Sequence, residues 1–98
     1  MIVNPMIVGV CTIELHIQEP NSLKAKRKVI KSIITRVKNN FNVSIAEVGY
    51  QDKWQRSILG VAVVSNAQDH ANGILSKVVN FVQDMYVAEL LDYQIEFW

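Results

Sequence analysis

An α+β domain is predicted for this chain, with two helices covering one face of a four-stranded antiparallel sheet. Three observations lead there. Residues 6–17 and 89–97 alternate apolar with polar side chains, the period of a half-covered strand. Residues 23–38 and 67–85 repeat their apolar positions at three and four, the period of an amphipathic helix. Two β-rich segments separated by a short polar turn lie between the helical stretches, so the order is β-α-β-β-α-β.

In the first strand Ile7, Cys11, Ile13, Leu15 and Ile17 share one parity, while Val8, Val10, Thr12, Glu14 and His16 share the other. Gln18-Glu19-Pro20-Asn21 reads as a turn, because proline disfavours helix in the residue before it. Asn21 or Ser22 is expected to cap a helix running to about Lys38. The Asn39-Asn40 pair is expected to end it, since asparagine tolerates the left-handed conformation.

Phe41 to Tyr50 reads as the second strand and Gln55 to Val64 as the third, with the hairpin turn at Gln51-Asp52-Lys53. Ser65 or Asn66 is expected to cap the second helix, whose apolar positions are Ala67, Ala71, Ile74, Leu75, Val78, Val82 and Met85. Asp69 suits the positive end of that helix, whereas Gly73 in its middle costs about 1 kcal/mol relative to alanine. In the last strand Leu91, Tyr93, Ile95 and Phe97 are expected to face inward and Asp92, Gln94 and Glu96 outward. This order, with right-handed crossovers, predicts the ferredoxin-like two-layer sandwich.

Ninety-eight residues, half of them hydrophobic, make one globular domain, residues 1–98, with residues 1–5 as a flexible extension. The single cysteine, Cys11, sits in an apolar run and is expected to be buried and inert. No apolar stretch reaches the roughly 18 residues of a membrane span, and the apolar N-terminal run lacks a basic leader. A reducing, cytoplasmic location without membrane association is expected.

Charge is the functional signal. Seven of the ten basic residues lie between Lys24 and Lys38, and no acidic residue occurs from Pro20 to Ala46. Outside that run, three basic residues face nine acidic ones, so a net charge of +1 conceals a charge-separated molecule. At 100° per residue, Leu23, Ile30, Ile33, Ile34 and Val37 face the sheet. Lys24, Arg27, Lys28, Lys31 and Lys38 form an exposed stripe, with Thr35 in the same row and Arg36 further round. Lys26 falls toward the apolar arc, where its stem is expected to lie over the sheet edge with the amine in water.

Like charges at these spacings repel, and basic residues in a first turn oppose the helix dipole. A bound anion relieves both, which makes nucleic acid the expected partner. A solvated face that keeps the domain soluble is the competing reading. Tyr50, Lys53, Trp54 and Arg56 around the hairpin tip form a candidate secondary contact, through base stacking or protein docking.

Other chemistries lack their residues. The third strand, SILGVAVV, has no aromatic ring for sheet-face RNA stacking, and Glu14, Asp92 and Glu96 on the open face repel phosphate. No glycine-rich phosphate loop, nucleophile with an adjacent base or paired cysteines occur, so no catalytic site, metal or cofactor is expected. His16 and His70 read as exposed polar residues.

The segments NSLKAKRKVIKSI, FNVSIAEVGYQDKWQRSILGVAVVSN and AELLDYQIEFW resemble the YlxP-like family of small bacterial proteins, over nearly the whole chain from Met6. The matching positions are Ser22, Leu23, Lys24, Lys26 and Arg27 at the helix start and Asp52, Trp54, Gln55 and Arg56 at the hairpin. The residues MIVNP precede the family's usual start. The resemblance implies a ferredoxin-like fold and carries over no catalytic residue, since the family has no established function. Its members are often encoded beside translation initiation factor two and ribosome-binding factor A, which implies a role in translation or small-subunit maturation. A non-enzymatic RNA- or ribosome-associated protein is therefore expected, with the small ribosomal subunit as candidate partner. The alternative is a protein-interaction or self-assembly module, a homodimer for instance, that uses the open sheet face or an edge strand.

Overall fold

A computed structural model describes residues 5–18 and 20–98. The expected flexibility of residues 1–4 and the turn position Glu19 lie outside them. The elements are β1 (Ile7–His16), α1 (Leu23–Asn40), β2 (Ser44–Gly49), β3 (Arg56–Ser65), α2 (Gln68–Gln83) and β4 (Glu89–Phe97). The four strands form an antiparallel sheet in the order β2-β3-β1-β4. Helix α1 lies over β2, and α2 lies over β1, β3 and β4. The chain therefore adopts the ferredoxin-like sandwich that its periodicity predicts.

The core forms where the inward parity of the strands meets the two apolar helix arcs. Cys11, Ile13, Leu15 and Ile17 of the first strand region meet Leu59, Val61 and Val63 of β3, together with Ile30, Ile33 and Val37 of α1 and Leu75, Val78 and Val82 of α2. Gly9 permits a close helix approach: a Cβ there would lie 3.0 Å from Leu75 Cδ1 and 3.3 Å from Ala71 Cβ. Burial pushes the Cys11 thiol up to about 11, as expected for an inert core residue.

Both sheet edges are irregular. The β1–β4 register shifts between Glu14, opposite Asp92, and Leu15, opposite Leu90. Leu91 is the extra residue of this bulge, so Leu90 faces the core and Leu91 is exposed, contrary to the uninterrupted alternation expected of β4. Ile95 and Phe97 keep the expected inward parity opposite Cys11 and Gly9. Along the other edge, the β2–β3 register shifts between Glu47 and Gly49, leaving Val48 as the extra residue.

Helix boundaries also differ in detail. Ser22 caps α1, its Oγ accepting the Ala25 N–H at 3.0 Å. The helix continues to Asn40 and closes on an extended Phe41, with Asn40 Nδ2 donating to the Arg36 carbonyl, so no left-handed asparagine ends it. The strand after it begins at Ser44, three residues later than expected from Phe41. The N-cap of α2 is Ala67, not Ser65 or Asn66; Ser65 Oγ instead accepts the Ala67 N–H just ahead of the helix.

Lys26 departs most from expectation. Its side chain is fully buried, so the amine does not reach water. Nζ lies 2.5 Å from Glu47 Oε2 and 3.0 Å from the Tyr50 carbonyl, and Ser57 Oγ donates to the same carboxylate oxygen at 2.6 Å. Glu47 and Ser57 lie on the inward parity of β2 and β3, so the first turn of α1 is tied through the core to the β2–β3 hairpin. A buried ammonium is tolerated only when paired and hydrogen-bonded, and these groups supply both conditions.

Replacing Lys26 alone by methionine strands Glu47 against the core. Lys26→Met should therefore lose roughly 3 kcal/mol in urea unfolding, and Lys26→Met with Glu47→Leu should recover most of it. A single variant as stable as the parent would show the pair to be dispensable. The glycines provide a second check with opposite signs. No atom of the described residues outside its own helix turn lies within 4 Å of a Cβ at Gly73, so Gly73→Ala should raise stability by about 1 kcal/mol, while overpacking by Gly9→Val should lower it by about 1–3 kcal/mol.

Candidate nucleic-acid interface

The outer face of α1 is built by the same packing that buries its inner face. With Ile30, Ile33 and Val37 on the sheet, Lys24, Arg27, Lys28, Lys31, Arg36 and Lys38 are all exposed. Between Lys24 and Lys38 the helix rises about 21 Å, so these six cations line one elongated surface. Ion pairs among the described residues join His16 to Glu89, Lys26 to Glu47 and Arg56 to Glu14, and none includes an exposed cation of α1. The first turn holds no acidic residue, so neither a side chain nor the helix dipole offsets the positive charge there.

Arg36 belongs to this surface more than the helical projection suggested. With Lys28, Lys31, Ser32 and Thr35 it lines a shallow open depression of about 410 Å³. The surface of this depression is mostly apolar, formed by side-chain stems, and the exposed cations border it. Lys26, by contrast, leaves the set of solvent-facing candidates because Glu47 holds it in the core. Glu47 and Ser57 were legible only in combination: each sits on an inward strand parity and Lys26 on an inward helix arc, but pairing them requires the register.

The hairpin candidates divide. Lys53 and Trp54 are exposed, Trp54 at 52%. Arg56 is occupied, pairing with Glu14 on the neighbouring strand and placing its guanidinium 5.1 Å from the centre of the Tyr50 ring. Tyr50 adopts a left-handed backbone, φ 58°, and the Lys53 N–H donates to its carbonyl at 3.0 Å, closing the turn.

The open sheet face has a different character. Glu14 and Asp92 face each other across β1 and β4 beside Thr12 and Gln94, around a shallow acidic hollow. Toward β2 the face becomes apolar, through Val10, Ala46, Val48, Ala62 and the exposed Val64. His16 Nδ1 lies 3.6 Å from Glu89 Oε1, so it belongs to a cross-strand pair and not to a cluster of ligands. Among the described residues no three His, Cys, Asp or Glu side chains group as metal ligands do, and no helix is long and apolar enough to cross a membrane.

Comparisons with known proteins agree with the architecture. A de novo designed protein, Foldit4, superposes with a TM-score of 0.54 at 12% identity, covering 95% of this chain and 96% of its own. The structural-genomics protein YJCS gives 0.54 at 11% identity over 91% of this chain and 96% of its own. At these identities the likeness concerns the fold alone. The uncharacterized protein YlxP of Bacillus subtilis is 46% identical over 76 residues, 78% of this chain and 83% of that protein. Residues 8–95 match the family described as protein of unknown function DUF503, and with its YlxP relative this establishes that the chain belongs to that family.

Proposed function

We propose that this protein is a non-enzymatic RNA-binding module of the cytoplasm that holds the phosphate backbone against the outer face of α1. The observation that carries the reading is the row of six exposed cations on one helix without an acidic partner among the described residues. Lys24, Arg27, Lys28, Lys31 and Lys38 form the stripe, and Arg36 extends it beside Ser32 and Thr35. Phosphate contacts position a nucleic acid without reading its sequence, so selectivity comes from RNA shape. The gene neighbourhood implied by the family resemblance supports the small ribosomal subunit as the source of that RNA. The acidic hollow at Glu14 and Asp92 faces away from α1, across the sheet, where it does not oppose phosphate.

A second reading has its own observation. The apolar band of Val10, Ala46, Val48, Ala62 and Val64 on the open face suits a second copy of the chain, because apolar surface pairs with itself under two-fold symmetry. The bulges in β2 and β4 speak against assembly along either edge. Sedimentation over a concentration range separates the two readings, since a sheet-face dimer persists in salt.

Binding to purified small subunits and to an unrelated structured RNA, measured across a salt series, tests the main proposal. With four or five phosphate contacts, log affinity should fall against log salt with a slope of about −3 to −4. Reversing Lys24, Lys28 and Lys31 to Glu should abolish binding with an unchanged circular dichroism spectrum, because all three are exposed. Binding that survives the triple reversal would refute it.

A further inference from the structure

We infer that the RNA is single-stranded where it passes the start of α1, with an unpaired base stacked on Trp54; this rests on the reading of α1 as the phosphate-binding face. The topology brings the β1–α1 turn, the β2–β3 hairpin and the α2–β4 loop to one end of the sandwich. His16 lies opposite both Arg56 and Glu89, and the Ile17 N–H donates to the Gln55 carbonyl at 2.9 Å. The first turn of α1 begins at this end, so Lys24, Arg27 and Lys28 share it with the hairpin tip.

Three exposed rings project from these loops: Tyr50, Trp54 and Tyr86, at 41%, 52% and 87% exposure. They are not equivalent. The Arg56 guanidinium, itself held by Glu14, covers the Tyr50 ring. Tyr86 stands between Asp84 and Glu89, carboxylates that repel a phosphate backbone. Of the three, Trp54 combines a ring without an aromatic or cationic partner among the described residues with Lys53 on its own loop and with a hairpin tied to the start of α1 through Lys26. Asp52 is the acidic residue of that loop.

The platform is held in place. Lys26 Nζ binds the carbonyl of Tyr50 at 3.0 Å, and Gln51 offers a second carbonyl at 3.5 Å, so the hairpin backbone is attached to the first turn of α1. The hairpin that carries Trp54 is thereby attached to the helix turn that carries Lys24 and Arg27. A duplex hides its base faces within the stack, whereas a single strand offers a π-face at every base. A ring beside a cationic row thus suits a single strand, with phosphates on the helix and a base on the indole.

Anisotropy titrations with a short single-stranded RNA, the same sequence as DNA, and an RNA duplex test this, together with tryptophan fluorescence in a Trp98→Phe background where Trp54 is the sole tryptophan. Single-stranded RNA should quench Trp54. Trp54→Ala should weaken single-strand binding about tenfold and leave duplex binding unchanged, while Trp54→Phe retains most of the affinity and Tyr86→Ala all of it. Equal loss for both RNA forms, or no quenching by any nucleic acid, would overturn the stacking role. DNA bound as tightly as RNA, with the same Trp54 dependence, would overturn the assignment to RNA. If Lys24, Lys28 and Lys31 reversed to Glu abolish binding while Trp54→Ala spares it, stacking fails and the phosphate-binding reading stands; binding that survives the reversal removes that reading instead.

Discussion

One buried contact governs much of this small molecule: the ammonium of Lys26 against the carboxylate of Glu47, with Ser57 and the Tyr50 carbonyl completing the set. An ammonium removed from water is strongly disfavoured without partners, so with both residues present α1 settles where Lys26 meets this carboxylate. The position of Lys26 and the apolar arc call for the same rotation of the helix. Ile30, Ile33 and Val37 turn onto the sheet, and the remaining cations turn outward. The described part of the covered layer holds a single carboxylate for a cation of this helix, so one of seven basic residues is absorbed and six are left to solvent.

The two layers treat charge differently. On the open sheet face, Arg56 meets Glu14, and His16 lies near Glu89, so both basic side chains have a carboxylate neighbour across the strands. Such partly exposed pairs add little to stability, but they remove free positive charge from that side. Among the described residues, the exposed cations of α1 have no corresponding partners. Both edge strands carry an extra residue, Val48 in β2 and Leu91 in β4, and bulged edges present a poor template to another strand. Among the described residues, the exposed surface of α1 and the open sheet face offer broader contact areas than these edges.

Much of this was legible in the sequence because burial imposes period two on strands and period 3.6 on helices, and both patterns are clear in β1, α1 and α2. The basic stripe was legible for the same reason: a helix whose apolar arc is fixed has a determined outer face. What was missed depends on pairing. The bulge at Leu91 shifts the parity of β4 without any compositional mark, since Leu90 and Leu91 are chemically identical candidates for the core. Lys26 read as a snorkelling residue because the helical projection contains no information about Glu47, 21 positions away, or Ser57. Arg36 was set apart by an angle of projection, yet long side chains on adjacent turns reach a common depression. The end of α1 was misread because Asn40 bonds back to Arg36 and the helix needs no left-handed residue to stop.

The segregation of charge into one layer also acts before any contact is made. With six cations on one helix and the acidic hollow on the far side of the sheet, these charges give an electric dipole component directed from the sheet toward α1. Near a polyanion such a dipole experiences a torque within about 10 Å, the range that physiological salt allows. The protein would rotate helix-first while still separated by water, shortening the orientational search that slows most macromolecular encounters. A net charge of only +1 keeps this effect local. At longer range the chain is close to electrically invisible, and only at close quarters does it acquire a front and a back.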